Sequence, residues 1–294
     1  MRKAGGLLLL VIIGACAAAP SDPIPSGGLR VVATTGILGD VAWAIAGDSA
    51  TVEVLIPGGV DPHDYRASSQ QVASLHAADL VVSNGLGLEE GLTDVLAGAA
   101  DDGANLLVVA PALDPVPFGE GTLDPHVWMD PVRMATAARL ISAALATVDN
   151  SSDWAAGADA YAAELDAADR RIESILAEVT RRKLVTNHDA FGYFAHRYDF
   201  EVVGVVIPGG STLANPSSSE LAALVETIRS EGVPAIFAET TQPALLVEAV
   251  AEEVGSHVAV VQLYSGSLGE PGSGADTLVG MLLTNAQRIA AALS

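Results

Sequence analysis

A single cysteine, Cys16, in 294 residues excludes an internal disulfide. Aromatic residues make up only 4% of the chain, so its core is built from many small aliphatic contacts rather than a few large rings. Basic residues are scarce too: 14 Lys and Arg stand against 36 Asp and Glu, a formal charge of −22. Nucleic acids require a basic footprint, which excludes that class of partner. Electrostatic adhesion to an anionic lipid surface is excluded on the same ground. The apolar stretch at residues 7–13 is too short to span a bilayer stably.

What is present points to an exported globular protein. Hydrophobic residues form 50% of the chain, enough for ample cores, and the length suits roughly two domains. Met1-Arg2-Lys3, the short apolar stretch and Ile13-Gly14-Ala15-Cys16 read together as a secretory signal. Its end resembles a bacterial lipobox, in which Cys16 becomes the lipidated first residue, although Gly14 is less usual there than Ala or Ser. The alternative is an ordinary signal cleaved near Ala17 to Ala19, which leaves no anchor. Residues 17–28, with Pro20, Pro23 and Pro25, then read as a flexible tether. Loss of Arg2 and Lys3 would leave 12 basic against 36 acidic residues, so the exported chain stays strongly acidic. Such a surface raises the local concentration of cations, or serves solubility alone.

From residue 29 onward, apolar β-rich runs alternate with amphipathic stretches. Strands are expected at 29–35, 52–56, 79–83 and 106–110, and again at 184–186, 202–207, 235–238 and 258–263. Helices are expected between them. The longest uninterrupted helical pattern spans 152–182, with Trp154, Ala158, Tyr161, Leu165, Ala168, Ile172, Ile175 and Val179 forming one apolar stripe. It would be roughly 45 Å long, more than one lobe needs. The alternation makes the expected fold class α/β, two lobes with mainly parallel sheets, and the long helix is read as a rigid connector between them, the alternative being an ordinary packed helix of one domain. The expected division is a signal, lipobox and tether at 1–28, an N-terminal lobe at 29–150, the connector at 151–182 and a C-terminal lobe at 183–294.

The tripeptide Asp-Pro-His occurs twice, at Asp61-Pro62-His63 and Asp124-Pro125-His126. Proline fixes its own φ and pushes the residue before it into an extended shape, so each imidazole is presented from a stiff turn. The Asp of each copy is placed to orient its imidazole, as carboxylates often do for metal-bound histidine. Each copy is read as following a buried strand and preceding a helix, and His188 has the same placement. Ligands of open parallel sheets bind beyond the carboxyl ends of strands. His63, His126 and His188 are therefore expected to converge on one divalent metal ion in the cleft between lobes. The alternative is three unrelated loop histidines, and the shared placement argues against it. His76, His196 and His257 are read as surface or packing residues. Trp128 and Tyr193 either close over the ion or belong to the core.

Several segments in this order resemble the zinc- and manganese-binding solute receptors of bacterial ABC importers. They are Val31-Val32-Ala33-Thr34-Thr35-Gly36, Ile56-Pro57-Gly58-Gly59-Val60-Asp61-Pro62-His63, Asn84-Gly85-Leu86-Gly87-Leu88-Glu89, Asp124-Pro125-His126-Val127-Trp128-Met129-Asp130-Pro131, His188-Asp189-Ala190-Phe191-Gly192, Ile236-Phe237-Ala238-Glu239 and Leu263-Tyr264-Ser265. The resemblance implies two α/β lobes on a long helix, His63, His126 and His188 as metal ligands, and no enzymatic activity. It implies delivery to a membrane permease with its ATPase, by a monomer held at the outer face of the cell membrane. A histidine at position 188 resembles the zinc branch, whereas a glutamate there resembles the manganese branch. Imidazole-rich sites suit zinc. The family often supplies an Asp as fourth ligand where this chain has Gly266. A water, Glu239, or a carboxylate from a shifted loop (Glu270 or Asp276) would take its place. The long His-rich loop of some zinc receptors is missing from residues 114–123. A competing class is a three-histidine zinc hydrolase with Asp64, Asp189 or Glu239 as general base. An adhesin or a receptor for a chelated metal completes the alternatives.

Overall fold

The computed structural model describes residues 28–119, 121–255 and 257–294, so Cys16, the signal and most of the tether lie outside the described residues. The first parallel sheet comprises β1 (Leu29–Ala33), β2 (Ala50–Val54), β3 (Leu80–Ser83) and β4 (Leu106–Val108), in the order β2-β1-β3-β4. Its crossovers are α1 (Gly36–Ala46), α2 (Ser69–Ala77) and α3 (Thr93–Asp101). A two-residue antiparallel ribbon, β5 (Pro117–Phe118) with β6 (Thr122–Leu123), leads to α4 (Pro131–Val148) and then α5 (Trp154–Leu176).

The second sheet comprises β7 (Lys183–Thr186), β8 (Glu201–Val205), β9 (Ala235–Glu239) and β10 (Ala259–Leu263), in the order β10-β9-β7-β8. Its helices are α6 (Gly192–Tyr198), α7 (Ser218–Glu231), α8 (Leu245–Val254) and the final α9 (Leu278–Leu293). Read from the second strand of each half, both sheets have the same order and all their pairings are parallel. The chain is a two-lobe α/β fold. Each sheet reverses its winding between its first and third strands, β1/β3 and β7/β9, which is where ligands of such sheets bind.

Local chemistry sets several boundaries. Ser68 with Gln71, and Ser217 with Glu220, form capping boxes that start α2 and α7. Helix α5 is shorter than the sequence pattern suggests: 23 residues, roughly 34 Å. It stops because the Arg182 guanidinium donates to the carbonyls of Leu176, Val179 and Tyr198 and closes the turn beyond it. The strand expected at 106–110 is present as β4, half-buried rather than fully buried, and the exposed ribbon between it and His126 is an addition the pattern did not show.

Helix α5 packs along α4 and also against α1 and α9. Its stripe of Trp154, Ala158, Tyr161, Leu165, Ala168 and Ile172 is buried, as periodicity predicts. The Tyr161 hydroxyl donates to Asp40 at 2.7 Å, and Asp40 also accepts the Leu278 backbone N–H at 2.9 Å. One carboxylate thus ties α1, α5 and α9 together. The main core is continuous across the molecule. It contains Val31, Ala33 and Val82 of the first sheet, Leu184, Phe237 and Leu263 of the second, and the facing sides of α4, α5 and α9. Smaller clusters cover the outer face of each sheet, around Val81 and Leu92 in one and around Ile236 and Val247 in the other. Among the described residues no helix is long and apolar enough to cross a membrane.

Candidate metal centre

His63, His126 and His188 come together, and each is at most 2% exposed. One ring nitrogen from each lies within 4.8 Å of the others. The ring centroids are 5.0 to 5.7 Å apart, and the Nε2 atoms of His126 and His188 approach to 3.1 Å. At that separation one Nε2–H can donate to the other nitrogen, and a cation held between the rings would take the place of that proton. His63 follows β2, His188 follows β7, and His126 enters from the ribbon side.

The two Asp-Pro-His turns are built alike at the backbone. Asp61 Oδ1 accepts the His63 N–H at 3.0 Å, and Asp124 Oδ1 accepts the His126 N–H at 2.9 Å. They differ at the ring. Asp124 Oδ1 also meets His126 Nδ1 at 2.8 Å, as expected of an orienting carboxylate. Asp61 does not reach the His63 ring. Its Oδ2 accepts from Thr212 and Gln242 of the other lobe, so it holds the lobes together rather than turning an imidazole. Gly192 explains why Asp124 fits: a Cβ there would lie 2.8 Å from Asp124 Oδ2.

Glu239, at the end of β9 and 1% exposed, places Oε1 on His188 Nδ1. That contact leaves His188 Nε2 facing the other imidazoles, while Glu239 Oε2 has no hydrogen-bond partner among the described residues. Burial alone would push the His188 pKa down, but the Glu239 charge outweighs it and holds the value above the ordinary one. Burial raises the pKa of Glu239 itself, but the His188 charge and hydrogen bond outweigh it and leave the value low. For His63, burial and then the neighbouring His126 and His188 push the pKa down to about 3. This imidazole stays neutral and ready to ligate.

The remaining expectations divide. Glu270 and Asp276 are exposed and are not brought to the histidines, and Asp276 instead accepts the Gly272 N–H. Gly266 lies against the first turn, where a Cβ would meet Pro62 Cδ at 2.9 Å. Trp128 is buried with its ring 5.3 Å from His126, and its Nε1 donates to Ser265 O across the cleft at 2.8 Å. Tyr193 is buried and donates to Asp124 O at 2.7 Å, so both aromatics support the site from behind. His76, His196 and His257 lie on the surface, away from the cluster. Asp64 is exposed and Asp189 is half-buried.

Sequence reasoning missed the role of Glu89. This buried carboxylate accepts the Thr34 hydroxyl at 2.6 Å, the Asn84 N–H at 2.7 Å and the Gly85 N–H at 3.0 Å. It locks together the ends of β1 and β3 at the winding reversal. Asn84 in turn donates to Pro125 O at 2.9 Å and so positions the second Asp-Pro-His turn. The signal was present in Asn84-Gly85-Leu86-Gly87-Leu88-Glu89, a polar pair bracketing a glycine turn.

The family model described as ZnuA, zinc-uptake complex component A, periplasmic, matches residues 31–292. The chain belongs to this family. ZnuA-family proteins are the metal-binding solute receptors of ABC importers, binding components rather than enzymes. The chain is 34% identical over 287 residues to the zinc-binding protein TroA of Treponema pallidum, covering 93% of this chain and 91% of that one. It is also 34% identical over 276 residues to the manganese-binding lipoprotein MntA of Bacillus subtilis, covering 90% of each. The solved structure of TroA superposes with a TM-score of 0.86 at 32% identity, over 91% of this chain and all of that one. A manganese-bound point mutant of a periplasmic metal-binding protein from Candidatus Liberibacter asiaticus superposes with a TM-score of 0.80 at 25% identity, over 90% of this chain and all of that one.

Proposed function

We propose that the protein is an extracytoplasmic zinc receptor in which His63, His126 and His188 hold the ion and pass it to an ABC permease. The observation that carries this is the convergence of three buried imidazoles within 4.8 Å. Three neutral nitrogen donors with no carboxylate among them suit zinc better than a hard, oxygen-preferring ion. Manganese is the second reading, favoured by a relative of equal identity that bears that name. Under it, Glu239 Oε2, buried and unpartnered, would turn into the site. Under the zinc reading Glu239 supports His188, and a water completes the coordination where Gly266 offers no side chain.

Residues 29–150 and 183–294 then act as the two lobes and 151–182 as the connector. Cys16 carries the lipid that holds a monomer at the outer face of the membrane, a reading supported by the lipobox and by relatives named lipoproteins. Metal content and competitive titration of the purified protein with zinc and manganese test the assignment. One tight equivalent of zinc is expected, with manganese bound more weakly. A preference for manganese would overturn the zinc reading, and no tight binding of either would overturn the receptor.

Two further outcomes follow from the geometry. Glu239→Gln removes the charge behind His188 and is expected to weaken zinc binding about 10- to 100-fold, measured by chelator competition. Lowering the pH from about 8 to about 5 is expected to release the ion progressively, because protons compete for His188, whose pKa is held above the ordinary value despite its burial, while His63 stays neutral over that range. Zinc retained undiminished at the acid end would count against histidine ligation.

A further inference from the structure

His63 differs from the other two histidines in its surroundings. His126 and His188 each have Nδ1 engaged by a carboxylate, whereas both ring nitrogens of His63 lack a hydrogen-bond partner among the described residues although the ring is 2% exposed. Its ring forms the inner wall of a cavity of about 250 Å³. The cavity is lined at its mouth by exposed Asp64, Glu90 and Asp94, with Arg66 the one cation among its lining residues. Leu213 closes the side that belongs to the second lobe, next to the Thr212–Asp61 tie. Glu90 has its side chain 41% exposed and Oε1 3.7 Å from His63 Nδ1, so one carboxylate touches solvent and nearly touches the buried imidazole.

We propose that this cavity is the vestibule through which a hydrated divalent cation reaches His63, with Asp94 and Glu90 drawing it in. The proposal rests on the receptor reading and adds the route and the residues that set its rate. Carboxylates lining a concave surface concentrate cations there and raise association rates. Glu90 offers an oxygen donor within reach of both water and His63, so the ion exchanges hydration for carboxylate and then for imidazole. Asp94 in the first turn of α3 also suits the helix dipole, a structural role that would leave metal kinetics unchanged.

The test is the association rate of zinc ion with the purified full-length protein, by stopped-flow competition with a fluorescent chelator at low and high salt. The variant carries Glu90→Gln with Asp94→Asn. A second variant, Glu226→Gln with Glu253→Gln on α7 and α8, makes the same charge change away from the cavity. The first pair is expected to lower the association rate constant roughly tenfold at low ionic strength, with the difference mostly lost at high salt. One-to-one binding and thermal stability should be retained. The second pair should change the rate less than about twofold, as expected of charges that steer only weakly. An equal loss in the second pair, an unchanged rate in the first, or a loss confined to dissociation would overturn the vestibule and leave the receptor standing. Failure of the unaltered protein to bind zinc or manganese would overturn both.

Discussion

His126→Ala is expected to weaken zinc binding by at least about 100-fold, roughly 2.7 kcal/mol, with little change in the fold. The ring is the most enclosed of the three. It stands 3.1 Å from His188 through Nε2 and 2.8 Å from Asp124 through Nδ1, with the Trp128 ring in a T-shaped contact at 5.3 Å. Truncation therefore removes a proposed ligand that neighbouring side chains already hold in one orientation, and besides His63 and His188 no other described imidazole belongs to the cluster. The Asp-Pro-His turn should survive, because Asp124 bonds the backbone N–H of residue 126 independently of the ring. Titration calorimetry or chelator competition gives the affinity, and circular dichroism of the same sample reports the fold. A variant that binds zinc as tightly as the parent would remove His126 from the site.

Gly157→Ala is expected to destabilise the molecule by about 2 kcal/mol or more, although the substitution favours a helix in isolation. The two effects have opposite signs, and their sizes decide the outcome. Alanine gains about 1 kcal/mol over glycine inside a helix. At Gly157, however, the added Cβ would lie 2.3 Å from the carbonyl oxygen of Ile45, a backbone atom that cannot swing aside. Helix α5 would have to back away from α1, and overpacking of this kind costs about 1–3 kcal/mol or more. The expected fall in Tm is roughly 4–8 °C, measured in chelator so that bound metal does not mask it. Gly98→Ala in α3 supplies the contrast. Nothing lies within 4 Å of a Cβ there, so this substitution should raise stability by about 0.5–1 kcal/mol. If both glycines behaved alike, the close approach of α5 to α1 would not govern stability.

Gly157 also illustrates what a sequence reveals and what it hides. The apolar stripe of α5 was legible because its period is set by the helix itself. The glycine within it gave no sign of whether it met a neighbour, since that depends on α1, far earlier in the chain. The same division runs through the site. Three histidines could be read as convergent because each falls between an expected strand and a helix, in a chain whose two halves repeat one alternation. The partners of their rings could not. The equivalent Asp61 and Asp124 sit in identical tripeptides, yet only Asp124 orients its imidazole, because Thr212 and Gln242 from the opposite lobe claim Asp61. The end of α5 was misplaced for a similar reason, since Arg182 looks like any helical arginine until its guanidinium caps three carbonyls. Helix α6 begins only at Gly192, because Thr186 donates its hydroxyl to His188 O, and Ala190 its N–H, which makes a separate turn of that stretch.

The unbroken apolar core shared by both sheets bears on how such a protein can be rebuilt or inherited. Each lobe contributes side chains to the same interior as α4, α5 and α9, so neither half contains all the partners its own inner face requires. A chimaera that joins the first half of this chain to the second half of a relative would bring together faces of α5 and α9 shaped for different counterparts. Such exchanges should succeed only when those two helices travel together. Selection on metal choice would then act on the loops around the histidines, while the interior changes as one piece.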